Sequence, residues 1–451
     1  MNEWKKVNIG DFLTEREGRY KPNDKEISKY QRLDKIDFSG NIHISNKPTK
    51  TDMIIVFPGD LVISGINVAK GAISVYQGKE PVCATIHYSS YTFDDKKVDL
   101  DYFKYFVKSP AFIFALQQQV KGGIKTEIKP KHLLPLEISL PDLSTQKEIV
   151  KVLSKKIEKV ELIKSEIESQ KNYAKQLRQN ILQEAIEGKL TEEWRKENPV
   201  VKGNPDFDAE ALFEKIQEEK CHTDSELPLE TSLRIRNSKK KVFEPIAENE
   251  QPFEIPEGWK LVRLGEVSES CLGKMLDSTK NQGTKRKYLR NINVRWFSFD
   301  LSDLLEMKIK DIELARCSAQ KGDLLICEGG YPGRSAIWNE NYEICFQKAI
   351  HRVRFFYMPE MSRIFNLYLF LLSENKQIEM YLTGEAIRHL TGVKLKQILI
   401  PLPPLAEQKE IVSRVEKLLA NVAELEEQIA ERETLTKQML QSIMKDAFRE
   451  E

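Results

Sequence analysis

The sequence predicts an α+β chain built by duplication, in which each of two mixed globules is followed by a long coiled-coil helix. Three observations carry this. A ten-residue string occurs twice, as PDLSTQKEIV at 141–150 and as PPLAEQKEIV at 403–412. The offset of 262 residues then holds without a gap from Gly122/Gly384 to Gly188/Glu450, and apolar residues recur there at a heptad spacing. Upstream of each string, short apolar runs bounded by Gly-Asp turns read as strands. The period is far too long for a solenoid, and two copies imply a pseudo-two-fold molecule.

Length and composition agree with such a chain. At 451 residues, a soft prior of about 150 residues per domain gives about three domains. The chain is 40% hydrophobic, enough to build cores, and 31% charged, which marks long solvated helices. Lys and Arg total 70 against 69 Asp and Glu, a net charge of +1 that excludes a uniformly basic coat but not a basic face. The longest apolar stretch, Ile364 to Leu372, contains Asn366 and falls short of the about 18 residues a membrane span needs. Met1 to Gly10 holds no apolar signal core, so a cytoplasmic chain is expected. Six cysteines (83, 221, 271, 317, 327, 345) form no Cys-x-x-Cys pair, which fits free thiols in a reducing compartment. Cys221 and His222 are adjacent, but two ligands are too few for a metal.

The elements follow in order. Residues 1–142 form the first globule, with a strand at Leu61–Ile63 after Gly59-Asp60 and a helix over Tyr102–Val120. Residues 143–190 form the first long helix, with Thr145 and Glu148 as a capping box. Residues 191–255 read as a linker, with five prolines and one short helix at Ala209–Lys220. The second globule spans 256–402, with a strand at Leu324–Ile326 after Gly322-Asp323 and a helix over Ser362–Leu382. The second long helix occupies 403–451, started by Pro403 and Pro404. The globules repeat more loosely than the helices, at offsets of 255 to 264. Trp4–Gly10 matches Trp259–Gly265, Tyr30–Arg32 matches Tyr288–Arg290, Gly59–Leu61 matches Gly322–Leu324, and Lys70–Ile73 matches Arg334–Ile337.

The heptad seam runs through positions 149, 153, 156, 160, 163, 167, 170, 174, 177 and 181, and through the same positions plus 262; eight of ten are apolar in each helix. A helix of this length reaches ~60 Å. That outruns a globule of about 140 residues, so a mutual coil is favoured over two helices each lying on its own globule.

Charge is uneven. The globules are basic, +4 for residues 1–140 and +5 for 256–402; the linker is −6, the second helix −4 and the first +2. This is a modest electrostatic footprint for a polyanion. Enzyme motifs are missing: no phosphate-binding Gly-x4-Gly-Lys-Ser/Thr, no Asn/Asp-Pro-Pro-Tyr/Phe tetrapeptide of amino-methyltransferases, no Gly-x-Gly-x-x-Gly. One weak nuclease-like match, Pro205-Asp206 with Glu218-Glu219-Lys220, reads better as the solvated face of an acidic helix.

Two basic segments interleave aromatic residues. One holds Lys285, Arg286, Lys287, Tyr288 and Arg290, continuing to Arg295 and Trp296; the other holds Lys29, Tyr30 and Arg32. Lys and Arg neutralise phosphates, and Arg also reads guanine edges. Taken singly, each segment could equally be a solvated strand; recurrence in both globules is what favours nucleic acid. Two glycine-bearing basic loops precede the helices. The first carries Lys121, Lys125, Lys129, Lys131 and His132; its partner carries Arg388, His389, Lys394 and Lys396. Glycines let a backbone approach a partner closely, although a simple turn closing the globule is the competing reading.

With these motifs in place, the chain resembles the specificity (S) subunit of type I restriction–modification systems over nearly its whole length. The carrying residues are the twin helix starts at 141–150 and 403–412, AIEGKL at 185–190, the twin Gly-Asp-Leu strands and the duplicated order itself. The resemblance implies that each globule is a target recognition domain and that the long helices pair antiparallel as a spacer. It implies no catalysis by this chain. Two modification subunits would dock on it and methylate adenine with S-adenosylmethionine; restriction subunits would translocate and cleave DNA with ATP and Mg²⁺. The partner would be double-stranded DNA carrying a bipartite target, with no membrane involved. Tyr30 and Arg32, Tyr288 and Arg290, Lys70 and Arg334, and the two basic loops are then expected to face DNA. Lys125 falls opposite Ile387, so the two domains are expected to read different half-sites.

Overall fold

A computed structural model describes residues 4–45, 47–68, 71–119, 130–225, 243–277 and 279–448. The chain divides into two compact units, residues 1–171 with 427–451, and residues 172–426.

In the first unit the strands are β1 (Lys5–Asn8), β2 (Leu13–Glu15), β3 (Arg32–Ile36), β4 (Ile42–Ser45), β5 (Met53–Val56), β6 (Leu61–Ser64), β7 (Ile73–Val75), β8 (Val82–Thr85), β9 (Tyr88–Phe93) and β10 (Glu137–Leu140). They form two four-stranded sheets, β2-β9-β6-β7 and β4-β3-β8-β5, and the antiparallel pair β1-β10. Helices Leu100–Phe106 and Pro110–Gln119 complete the globule. The expected single helix over Tyr102–Val120 is therefore two, because Ser109 caps a fresh start, its hydroxyl accepting from the N–H of Phe112.

The second unit carries β11 (Lys260–Arg263), β12 (Ser268–Leu272), β13 (Thr284–Leu289), β14 (Val294–Arg295), β15 (Ser298–Phe299), β16 (Leu305–Ile309), β17 (Ser318–Ala319), β18 (Leu324–Cys327), β19 (Ser335–Ile337), β20 (Ile344–Phe346), β21 (Ile350–Phe355) and β22 (Leu399–Leu402). Its sheets run β12-β21-β18-β19 and β16-β13-β20-β17, with the pair β11-β22. Strand for strand this is the order of the first unit, with the small hairpin β14-β15 added. The expected helix over Ser362–Leu382 is Pro359–Glu374, opened by a proline at its first position and followed by a tight turn at Gln377–Tyr381.

The twin Gly-Asp-Leu turns explain why β6 and β18 start where they do. Gly59 and Gly322 have φ of 88° and 93°, a left-handed conformation that a side chain would strain. The next residue caps the turn: Asp60 accepts from the N–H of Phe57, and Asp323 from that of Gln320. Both carboxylates are buried and held by a bidentate arginine, but from different strands. Arg16, just after β2, grips Asp60 at 2.5 and 2.9 Å; Arg354, within β21, grips Asp323 at 2.7 Å twice.

The ladders also correct the looser sequence matches. In the parallel pairs Arg32 sits opposite Cys83 and Tyr288 opposite Cys345, so Arg32 and not Tyr30 is the counterpart of Tyr288. Likewise Ile63 pairs with Ile73, and Ile326 with Ser335. That makes Arg334 the counterpart of Ala72, not of Lys70. Both resemblances were two residues out of step, which short strings in twisted sheets easily produce.

The repeated glutamine of the helix starts has a structural reason. Gln146 and Gln408 are fully buried, and each donates from Nε2 to the carbonyl five residues back, Pro141 or Pro403, at 2.8 Å. Each thereby pins the strand-to-helix corner. The first long helix, Leu143–Ile186, is capped by Asp142, whose carboxylate accepts from the N–H of Thr145 at 2.8 Å. Asp142 therefore occupies the role expected of Thr145, one turn earlier than the proposed capping box.

The second long helix is Leu405–Ala447. Within the first unit the two helices pair antiparallel. Lys171 meets Glu433 and Gln170 meets Arg432, both at 2.7 Å, while Leu153 shares a cluster with Met444 and Phe448. In each pair the partners are repeat equivalents, 262 residues apart. Hydrogen bonds from Lys171 and then Lys437 hold the Glu433 carboxyl down at about 2. Within the second unit Arg178 meets Glu426 at 2.7 Å, and Leu182, Ala185 and Ile186 share a core with Ile411, Val412 and Val415. The seam is narrower than the full heptad pattern. Leu153, Val160, Ile167, Ala174 and Ile181 are buried, as are Val415, Val422, Ile429 and Thr436, whereas Lys156, Leu177, Leu425 and Met439 are exposed. A two-stranded coil would turn both rows to the partner; here one row is buried and the other is half-buried to exposed along most of its length.

The segment expected to be a linker differs most from expectation. Helix Ala209–Ser225 buries Ala209, Leu212 and Ile216 in the same core as Val262, Leu264 and Val267. Pro205 and Asp206 accept from the N–H groups of Leu405 and Ala406, satisfying donors that the helix start leaves open. Prolines and acidic charge marked this stretch as a tether, yet the prolines stop helices and the acids face outward on a docked one.

Candidate nucleic-acid interface

The predicted site residues fall into distinct environments. Lys70, Lys121, Lys125 and Lys129 lie outside the described residues. Lys131 is exposed on the short helix Pro130–Leu133. Tyr30 is half-buried against the cluster of Ile27, Met53 and Cys83, with Lys29 Nζ 5.0 Å above its ring. Arg32 is largely buried; its guanidinium pairs with Asp34 at 2.6 Å and reaches the Pro48 carbonyl.

In the second unit the strand β13 presents Lys285 and Lys287 to solvent and turns Arg286 onto Asp311 at 2.7 Å. Arg286 and Lys287 line a cleft of about 420 Å³ with Leu314, Tyr342, Glu343 and Cys345. Tyr288 is a correction: it is 2% exposed and packs with Met307, Ile309 and Cys345. The alternation of the strand sends it inward, so it serves the core and offers no ring to a base. Arg290 is committed too, donating to the Asp303 carboxylate at 2.6 Å and its carbonyl at 2.9 Å.

Three loops converge at the other end of β13. Arg334 Nη2 donates to the Asn291 carbonyl at 2.9 Å, Asn291 Nδ2 donates to Gly329 O at 3.1 Å, and His389 packs over Gly329. The fold thus brings Arg290, Arg334 and His389 together and leaves Lys285–Lys287 apart. Arg388 is exposed and pairs with Glu379 at 3.1 Å. Lys394 is half-buried in the short helix Gly392–Lys396, capped by Thr391. Sequence reading passed over Asn291 and Tyr331, the first hidden in an uncharged NIN string and the second a lone aromatic; only loop convergence singles them out.

His351 supports this corner from below. It is 1% exposed, and its Nε2 lies 2.8 Å from the carbonyl of Leu390, which closes the 383–390 loop. Burial, and then the nearby Lys396 charge, push its pKa below the ordinary imidazole value against the pull of the Leu390 carbonyl. The unfolded chain therefore takes up the proton first. The stability from this site is present above about pH 6.5 and is lost as pH falls toward the folded pKa. Protection of the His389 and Leu390 amides, measured as exchange relative to the unfolded chain at the same pH, is expected to fall between about pH 7 and 5. His351→Gln keeps a donor without titrating and should remove that acid dependence; an unchanged profile in the variant would refute the assignment.

Comparison with known proteins places this geometry. The family model for the type I restriction modification DNA specificity domain matches residues 1–170 and 256–432, one segment per copy of the duplication. The chain belongs to that family. It is 24% identical over 407 residues to the type I restriction enzyme EcoKI specificity subunit of Escherichia coli (strain K12), covering 88% of this chain and 75% of that protein. It is 24% identical over 348 residues to the EcoBI specificity subunit of Escherichia coli, covering 76% of this chain and 64% of that one. A solved chain from work on complex assembly and conformational transition of the type I R-M system shares the fold, with a TM-score of 0.59 at 16% identity over 99% of this chain and 98% of that one. Among the described residues no helix is long and apolar enough to cross a membrane, and no group of His, Cys, Asp or Glu could hold a metal ion.

Proposed function

We propose that this chain is the sequence-reading subunit of a type I restriction–modification complex, that each unit reads one half of a bipartite DNA target, and that two modification subunits and the restriction subunits dock on it. The observation that carries this is the strand-for-strand repetition of one sheet topology in a chain of the DNA specificity family. Two copies of one reading domain suit two half-sites, and their basic sequences suit phosphate neutralisation. Catalysis rests with the partners, which would use S-adenosylmethionine, ATP and Mg²⁺. The purified chain, incubated with DNA and all three, is expected to show no methylation or cleavage above a mock preparation; turnover would overturn the non-catalytic role.

Exchange of one reading domain tests the division of labour. Because helix Ala209–Ser225 packs on Leu264 and Val267, the exchange should span residues 191–402 and not 256–402. With the partner subunits present, methylome sequencing is expected to show one half-site changed and the other retained. A change in both would count against independent domains.

A further inference from the structure

One surface feature recurs in both units although the sequence around it does not. In the first, the turn after β3 meets the turn between β6 and β7: a side-chain carbon at Gly71 would lie 2.4 Å from the Phe38 carbonyl. In the second, the turn after β13 meets the turn between β18 and β19 through Asn291 and Gly329. Each paired turn lifts large apolar side chains into water. Phe38 is 61% and Ile66 50% exposed; Ile292 is 47% and Tyr331 65% exposed.

One turn of each pair is fixed by hydrogen bonds. Asp37 accepts from the N–H groups of Ser39 and Asn41 and from the Asn41 amide, which fixes the first turn. Asn293 accepts from the N–H of Arg290 and donates to the carbonyls of Asp300 and Asp303, which fixes the second. Gly330 has φ of 78°, which a side chain would strain, and an added carbon would also lie 2.6 Å from Asn291 Nδ2. The Arg334 guanidinium, anchored on Asn291, lies 4.2 Å from the Tyr331 ring centroid and holds that ring from one side.

Exposed apolar groups held beside hydrogen-bonded turns, twice, in otherwise basic domains, call for a partner. Apolar and aromatic side chains at DNA surfaces contact thymine methyls, stack on bases or wedge base steps. We propose that the paired turns are the base-reading tips, with Phe38 and Ile66 serving one half-site, Tyr331 and Ile292 the other, and Arg334 acting as the positioning residue for Tyr331. This rests on the sequence-reading role proposed above and assigns it to particular side chains. The purely aliphatic and phenyl chemistry of the first tip, against the tyrosine and arginine of the second, makes the two half-sites different in kind.

The test is a methylome of cells carrying the full complex with its own modification subunits. Tyr331→Ala is expected to relax one half-site, with discrimination falling about tenfold or more, the size of a lost base stack. Phe38→Ser with Ile66→Ser should relax only the other half-site. Tyr331→Phe keeps the ring and should keep the motif, and Arg334→Ala should relax the same half-site as Tyr331→Ala. Unchanged motifs in the alanine and serine variants, or variants that lose subunit assembly while DNA preference persists, would overturn the assignment. A parent complex that marks no bipartite motif would instead overturn the underlying role.

Discussion

Replacing Glu407 with leucine is expected to destabilise the second unit by about 3 kcal/mol, the low end of what breaking a buried ion pair costs. Glu407 is 1% exposed. One oxygen accepts from Arg195 at 2.5 Å and from the Thr191 hydroxyl at 2.6 Å; the other accepts from the Trp259 indole at 2.6 Å. Leucine would strand all three donors, two of them buried. The low end applies because Arg195 keeps some access to water, its side chain being 19% exposed. The contact joins the end of the first long helix, the start of the second and the first strand of the globule. Glu407→Gln, which retains an acceptor, should fall between the two. Urea unfolding followed by amide exchange around Thr191 and Trp259 measures it; a loss below about 1 kcal/mol would show that the three donors find water.

The second large effect concerns distance. Removing one heptad from each long helix shortens both by about 10 Å, the rise of roughly three base pairs of duplex. The segments to remove are those that face one another. Pairing of Gln170 with Arg432 and Lys171 with Glu433 in an antiparallel sense sets Ile163–Ser169 against Leu435–Gln441. Cutting the repeat-equivalent stretch Leu425–Glu431 instead would keep both ends in register but break the pairs Gln170–Arg432 and Lys171–Glu433 between them. With the facing deletion, any motif still methylated should have a gap shorter than the parent's by about three base pairs. The deletion also rotates one half-site around the duplex, so activity should fall. An unchanged gap would end the role of the helices as spacer.

Much of this was legible in the sequence, for reasons that differ by element. The long helices announce themselves because a heptad pattern repeated over some forty residues has no other reading. The Gly-Asp-Leu strands were legible because the left-handed glycine and the capping aspartate leave a local signature. The site was less so. Tyr288 looked like a reader beside Lys285–Lys287, but strand alternation, invisible until the register is known, turns it into the core. Arg32, Arg286 and Arg290 looked free, and their partners Asp34, Asp311 and Asp303 are local carboxylates that composition counts average away. The helix expected at Ala209–Lys220 is present as Ala209–Ser225, but its docking was not legible, because proline content speaks of where helices stop and says little about what they pack on.

The contact of Lys171 with Glu433 carries a consequence for symmetry. When two identical chains associate about a rotation axis, a residue on the axis touches its own image, so a charged one there faces like charge. Gln170 with Arg432 and Lys171 with Glu433 are such self-images made unlike. Within one polypeptide the two equivalent positions can differ, and one is acidic where its twin is basic. Two copies of residues 1–190 paired in the same way are expected to set lysine against lysine at the crossing and to lose an exposed salt bridge worth about 1 kcal/mol or less.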